Sequence, residues 1–173
     1  MHTLILGGAR SGKSALAERL AHESGREVVY VATAHAGDEE MAARIAHHRA
    51  RRPASWLSVE EPVHLADALR MHAGRDRTVL VDCLTLWLSN LLGDVDAGCF
   101  ERERTALLDT LPMLPGEVLM VSNEVGLGIV PLGELTRRFV DEAGRLHQSL
   151  AAISERVLFV AAGLPMAFKG TLS

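Results

Sequence analysis

The chain has 173 residues, two cysteines and a formal net charge of −4. That length predicts one domain with a substantial core, and a hydrophobic fraction of 48% excludes a disordered chain. The charge offers no general attraction to nucleic acid. No apolar stretch is long enough to span a bilayer and no signal pattern precedes the first strand, so no membrane insertion is expected. Cys83 and Cys99 belong to no C-x-x-C pair, which speaks against a disulfide framework or zinc site and fits a reducing cytoplasm.

Leu4-Ile5-Leu6 reads as a short buried strand, and Ala15 to Ala21 reads as helix. Between them, Gly7-Gly8-Ala9-Arg10-Ser11-Gly12-Lys13-Ser14 fits G-x-x-x-x-G-K-[ST], the phosphate-binding P-loop. Strand, glycine loop and helix is the context the motif needs. Glycine lets backbone N–H groups turn inward around phosphate oxygens, and the helix N-terminus adds partial positive charge. Lys13 can reach the β- and γ-phosphates, and Ser14 can offer a hydroxyl to Mg²⁺. The chain therefore reads as a binder of nucleoside triphosphate.

The first helix is expected to end near Gly25. Val28 to Thr33 is a continuous β-branched run, the pattern of a strand buried on both faces. Its end, Ala32-Thr33-Ala34, should emerge at the sheet edge that carries the P-loop, where open α/β sheets bind ligands. A helix is predicted over 38–52, with Asp38 as N-cap, acids in its first turn, arginines in its last and Pro53 after it. By spacing, this is either a basic surface helix with two solvated histidines, His47 and His48, or an element that brings arginines and an imidazole to phosphates.

Trp56 and Leu57 are expected to anchor the next segment. Glu60 and Glu61 precede a helix over 63–71 that turns Leu65 and Leu69 inward, with Pro62 suited to a first helical position. Thr78-Val79-Leu80-Val81-Asp82 is an apolar strand ending in an acid, a position that in P-loop proteins serves Mg²⁺. The apolar helix over 84–92 is expected to pack in the core or against another subunit, and its Asn90 reads as a satisfied polar residue. A loop over 93–98 leads to an amphipathic helix over 100–111.

Val118 to Ser122 is the next strand, and Asn123 to Pro131 suggests a second loop at the binding edge. A long helix over 135–153 carries Phe139, Ala143, Leu146 and Leu150 on one stripe, with an unfavourable Gly144 in its middle. Arg156 to Ala162 is the fifth apolar strand, and 163–170 forms a closing tail. This βαβα order predicts an α/β fold, with a mostly parallel central sheet and helices on both faces.

In ordered combination these residues resemble the bifunctional adenosylcobinamide kinase / adenosylcobinamide-phosphate guanylyltransferase family. The resemblance rests on the P-loop, Tyr30-Val31-Ala32-Thr33, Glu40-Met41-Ala42-Ala43-Arg44-Ile45, His47-His48, Arg52-Pro53 and Trp56. It continues through Asp82-Cys83-Leu84-Thr85, Asn90-Leu91-Leu92, Asn123-Glu124-Val125-Gly126, Gly128-Ile129-Val130-Pro131 and Lys169-Gly170.

The resemblance implies a RecA-like P-loop NTPase fold and two reactions. ATP or GTP phosphorylates adenosylcobinamide, and GTP then gives GMP to adenosylcobinamide phosphate through a histidine. That histidine aligns with His48, with His47 the adjacent alternative. The resemblance also assigns Ala32, Thr33, Ala34, Glu60 and Asp82 to the nucleotide site and the protein to a homotrimer. Arg49, Ala50, Arg51 and Arg52 are expected at that site too, the arginines to bind phosphates or the guanylylated state, and Mg²⁺ is expected on Ser14 and Asp82. Two other readings compete: a small-metabolite kinase using the P-loop alone, and a nucleotide-switched binding module.

Overall fold

The structure is a computed structural model that describes residues 1–34 and 53–172. The predicted helix over 38–52 lies outside the described residues, and with it His47, His48, Arg49, Ala50, Arg51 and Arg52.

The sheet begins with β1 (His2–Gly7), whose six residues are all buried, followed by α1 (Lys13–Glu23) and β2 (Glu27–Ala32). Next come β3 (Leu57–Glu60), α2 (Leu65–His72), β4 (Arg77–Asp82), α3 (Leu84–Leu92) and α4 (Cys99–Thr110). A single 3₁₀ turn (Leu111–Met113) leads to β5 (Glu117–Asn123), α5 (Glu134–Ile153), β6 (Arg156–Ala161) and β7 (Leu164–Lys169). The strand order is β3-β2-β4-β5-β1-β6-β7. All pairs are parallel except β6 with β7.

Alternation along each strand sends side chains to opposite faces. Ile5, Tyr30, Leu80, Leu119 and Leu158 form one cluster with Leu16, Ala17 and Ala21 of α1. Leu4, Val31, Val79, Met120 and Val157 form the other, with α2 to α5. Leu84, Trp87, Leu88 and Leu91 of α3 are buried in this second cluster, so the alternative of core packing holds for that helix. Leu65 and Leu69 of α2 are fully buried, as their spacing predicts.

Five strands were expected, and the described residues contain seven. The two additions are the sheet's edges. β3 has four residues, mostly exposed, and so lacks the apolar run that marks a buried strand. Leu57, expected as an anchor, is 45% exposed there, whereas Trp56 packs on the α1 side. β7 is largely exposed and contains Pro165, tolerable because an edge strand has a free side. It joins β6 through Ala162-Gly163, both with positive φ, the geometry of a tight hairpin turn.

A smaller correction concerns α2. Its first helical residue is Leu65, not Pro62. Glu61 Oε1 accepts hydrogen bonds from the backbone N–H groups of Val63 (3.0 Å) and His64 (2.7 Å), doing the work of a cap ahead of the helix.

Candidate functional site

Parallel pairing brings the C-terminal ends of six strands to one edge. Within it, Ala32 of β2 lies opposite both Glu60 of β3 and Asp82 of β4. Gly7 of β1 lies opposite Asn123 of β5 and Val160 of β6. Backbones so paired are about 4.8 Å apart. The motif residues expected at the edge therefore converge there, and the loop after Asn123 leaves from the same edge.

The P-loop is shaped by close approaches. A Cβ on Gly7 would collide with the Val160 carbonyl. Gly12 has φ of 99° and caps α1, and a Cβ there would lie 3.1 Å from Gly163 Cα. The β6–β7 turn also donates from Gly163 N to Ser11 O at 2.8 Å, so the hairpin braces the loop. No side chain among the described residues caps the start of α1, leaving its first N–H groups to an anion. Ser11 Oγ is buried without a hydrogen-bond partner among the described residues, a donor suited to a phosphate oxygen.

Lys13 is buried, and its Nζ donates to Gly8 O at 3.1 Å. Burial pushes its pKa down, while Cys83 and Asp82 pull it up. Ser14 follows in the first turn of α1, half-buried. Ala9 and Arg10 are exposed at the tip of the loop, Arg10 with φ of 57°.

Asp82 sits on the α1 face of β4, since it alternates with Leu80. Tyr30, diagonal to it on β2, donates its hydroxyl to Asp82 Oδ2 at 2.9 Å and so fixes the carboxylate. Thr33 stitches the same two strands. Its hydroxyl donates to Cys83 O (2.6 Å) and accepts from Cys83 N (2.9 Å), and its own N–H donates to Asp82 O (3.3 Å). Thr33 is fully buried, so its hydroxyl positions Ala32, Ala34 and Asp82. Asn90 is a satisfied polar residue, as read: its Nδ2 donates to Thr33 O (2.9 Å) and Pro62 O (3.0 Å). Glu60 is exposed at the end of β3.

A second group, on the other face of the edge, was not singled out as functional by sequence reasoning. Glu124 N donates to Gly7 O at 3.0 Å, tying Glu124 to the first P-loop residue. Its Oε2 lies 3.7 Å from Nδ1 of His147 on α5. His147 Nε2 is 2.7 Å from Ser122 Oγ, which is 3.2 Å from Thr85 Oγ1, which accepts from Asn123 N at 2.6 Å. Burial lowers the pKa of His147, against the pull of Glu124. The only sequence signal was Glu124 itself, inside Asn123-Glu124-Val125-Gly126; His147 is 24 residues from Asn123 and no local pattern links them.

With this geometry in place, the chain can be set beside known proteins. The sequence profile of the family described as "Cobinamide kinase / cobinamide phosphate guanyltransferase" matches residues 3–168. The chain belongs to this family. The bifunctional adenosylcobalamin biosynthesis protein CobP of Pseudomonas aeruginosa is 64% identical over 170 residues, 98% of each chain. The bifunctional adenosylcobalamin biosynthesis protein CobU of Escherichia coli is 40% identical over 182 residues, 98% of this chain and 100% of that one.

Two solved structures share the fold alone. The RadB recombinase superposes with a TM-score of 0.54 at 18% identity, covering 91% of this chain and 73% of that one. A Pyrococcus horikoshii protein superposes at 0.55 and 10% identity, covering 98% and 86%. In this member of the cobinamide kinase / guanyltransferase family, the P-loop, Ala32, Glu60 and Asp82 share one sheet edge. No helix among the described residues is long and apolar enough to cross a membrane.

Proposed function

We propose that the protein phosphorylates the aminopropanol hydroxyl of adenosylcobinamide with ATP or GTP, then moves GMP from GTP through His48 onto that phosphate. The products are adenosylcobinamide-GDP and pyrophosphate. The observation that carries the reading is the family match over residues 3–168 in a chain whose P-loop is intact and set at the ligand edge of a parallel sheet. The small-metabolite kinase and the nucleotide-switched module explain the P-loop but not that match.

The chain's own groups suit both reactions. P-loop amides, the start of α1 and the Lys13 ammonium place positive charge where phosphate oxygens gain negative charge. In guanylyl transfer, neutral imidazole of His48 attacks the α-phosphorus of GTP and pyrophosphate leaves. An oxygen of adenosylcobinamide phosphate then attacks the same phosphorus and frees the histidine. Arg49, Arg51 and Arg52 bind phosphates or the guanylylated state. Glu60 accepts from guanine N1–H and N2–H₂, selecting GTP in the second step. Glu60→Gln therefore narrows the preference for GTP over ATP in adduct formation; an unchanged preference removes this role.

The donor set fits Mg²⁺. Ser14 offers a hydroxyl at the start of α1 and Asp82 a carboxylate oriented by Tyr30. Among the described residues no group of three His, Cys, Asp or Glu could cage a metal. Phosphate oxygens and water would complete the shell, the arrangement this ion favours. When bound, the ion supplies positive charge to the transferring phosphate.

A homotrimer is part of the proposal, and sedimentation at micromolar concentration tests it: a clean monomer contradicts it. The activity test uses adenosylcobinamide with γ-labelled ATP or GTP, then α-labelled GTP. We expect label in adenosylcobinamide phosphate from the first and in adenosylcobinamide-GDP from the second. Nucleotide hydrolysis indifferent to the corrinoid would favour the switched module.

A further inference from the structure

The geometry points to Glu124 as the group that takes the proton from the acceptor hydroxyl during phosphoryl transfer, with His147 as its positioning residue. This rests on the kinase reading above.

Asn123 is paired with Gly7, and Glu124 N is bonded to Gly7 O at 3.0 Å. Glu124 is thus fixed to the residue at which the phosphate loop begins. Its side chain is 22% exposed, against 8% for His147, so the carboxylate meets the solvent edge while its support is enclosed. Oε1 accepts from Gly126 N at 2.6 Å, which leaves Oε2 facing His147.

The hydrogen-bond chain behind it has a direction. Thr85 Oγ1 accepts from Asn123 N, so its own proton is available to Ser122 Oγ. Ser122 can then donate to His147 Nε2 at 2.7 Å. That puts the imidazole proton on Nδ1, facing the carboxylate. The opposite order would turn the Nδ1 lone pair toward Glu124, like charge toward like. The favoured order points an N–H at Oε2 and so orients the carboxylate toward the edge where a hydroxyl proton would be taken. Burial keeps His147 neutral, so it orients the carboxylate without neutralising it.

Phosphoryl transfer forms a bond from the acceptor oxygen to the γ-phosphorus and breaks the bridging P–O bond, releasing nucleoside diphosphate. The hydroxyl proton passes to Glu124 Oε2 and then to solvent. Guanylyl transfer differs, because its attacking groups are a neutral imidazole and a phosphate oxygen. Neither needs a proton removed by Glu124. The two reactions of one protein therefore give opposite expectations for one residue.

The experiment compares wild type, Glu124→Gln and Glu124→Asp. Gln keeps an oxygen for Gly126 N but is not a base. For Glu124→Gln, kcat for cobinamide phosphorylation should fall by about 10²- to 10⁴-fold, with KM for the nucleotide unchanged. Its GMP adduct and its transfer of GMP to supplied adenosylcobinamide phosphate should match wild type. Glu124→Asp should recover part of the loss. His147→Gln should lower kinase kcat less than His147→Ala, again with adduct formation retained. Kinase kcat of Glu124→Gln within about threefold of wild type overturns the assignment. So does equal loss of both reactions, which marks a structural role. A wild type unable to phosphorylate cobinamide overturns the kinase reading itself, and the assignment with it.

Discussion

Lys13 is a cation in an enclosed place, 8% exposed, with its Nζ over the Gly8 carbonyl. Desolvation disfavours its charge, and the Asp82 carboxylate offsets that cost in part. A triphosphate adds the negative charge that such a buried ammonium lacks. Lys13→Met removes the charge and keeps most of the volume. We expect both phosphoryl and guanylyl transfer to fall by about 10²-fold or more, measured as kcat for each, while the melting temperature without nucleotide stays level or rises. Unchanged guanylyl transfer would mean that the two reactions do not share this loop. The residues of the P-loop were legible in the sequence because their chemistry needs fixed spacing. Tyr30 and His147 were not read as site residues, since each acts through a partner far along the chain: Tyr30 through Asp82, His147 through Glu124.

Among the elements, α5 shows where composition and packing part. Gly144 interrupts its middle, where glycine is unfavourable in a helix. Among the described residues nothing lies within 4 Å of a Cβ built there. Alanine lowers the entropy of the unfolded chain and suits the helix better, by about 0.5–1 kcal/mol. Gly144→Ala should therefore raise the melting temperature by about 1–4 °C; a melting temperature below wild type would contradict the open packing. At the other end of α5, Lys169 Nζ donates to the carbonyls of Ala151 (2.9 Å) and Ala152 (3.1 Å). Gly170, with φ of 73°, lies where a Cβ would meet Glu155 O at 2.9 Å. The closing Lys169-Gly170 pair thus secures a helix C-terminus. Interior strands and amphipathic helices were legible because burial imposes a period. β3 and β7 were not, because an edge strand answers to backbone pairing and leaves its side chains to water.

Across the whole molecule the two ends of the sheet have different work. At the N-terminal edge, buried Glu117 lies near Arg156 (3.7 Å) and Arg26 (3.8 Å) and accepts from Thr78, charges that hold strands together. The C-terminal edge carries the phosphate loop and the carboxylates. Stability should depend on pH through two histidines. Burial lowers the pKa of His147 and, with the N-terminal charge, that of His2, from an ordinary value of 6.5. As pH falls through 6.5, the unfolded chain takes up protons that the folded one refuses. Folding stability is then complete above 6.5 and declines below it. The melting temperature should fall as pH goes from 7.5 to 5.5; a flat or rising course would contradict the buried neutral state. Fold class followed from the βαβα order alone. The dual activity did not, since a P-loop specifies nucleotide binding and no more; that reading came from the ordered set of motifs.

The central claim is that one chain uses a P-loop for GTP and His48 to carry GMP. Incubation with α-labelled GTP and Mg²⁺ in the absence of corrinoid, followed by acid and base treatment and peptide mapping, tests it most directly. We predict a GMP adduct that acid cleaves and base spares, mapped to His48 and absent in His48→Asn. An adduct on His47 would move the nucleophile by one residue. A chain that phosphorylates cobinamide but forms no adduct would contradict the claim and leave a kinase alone.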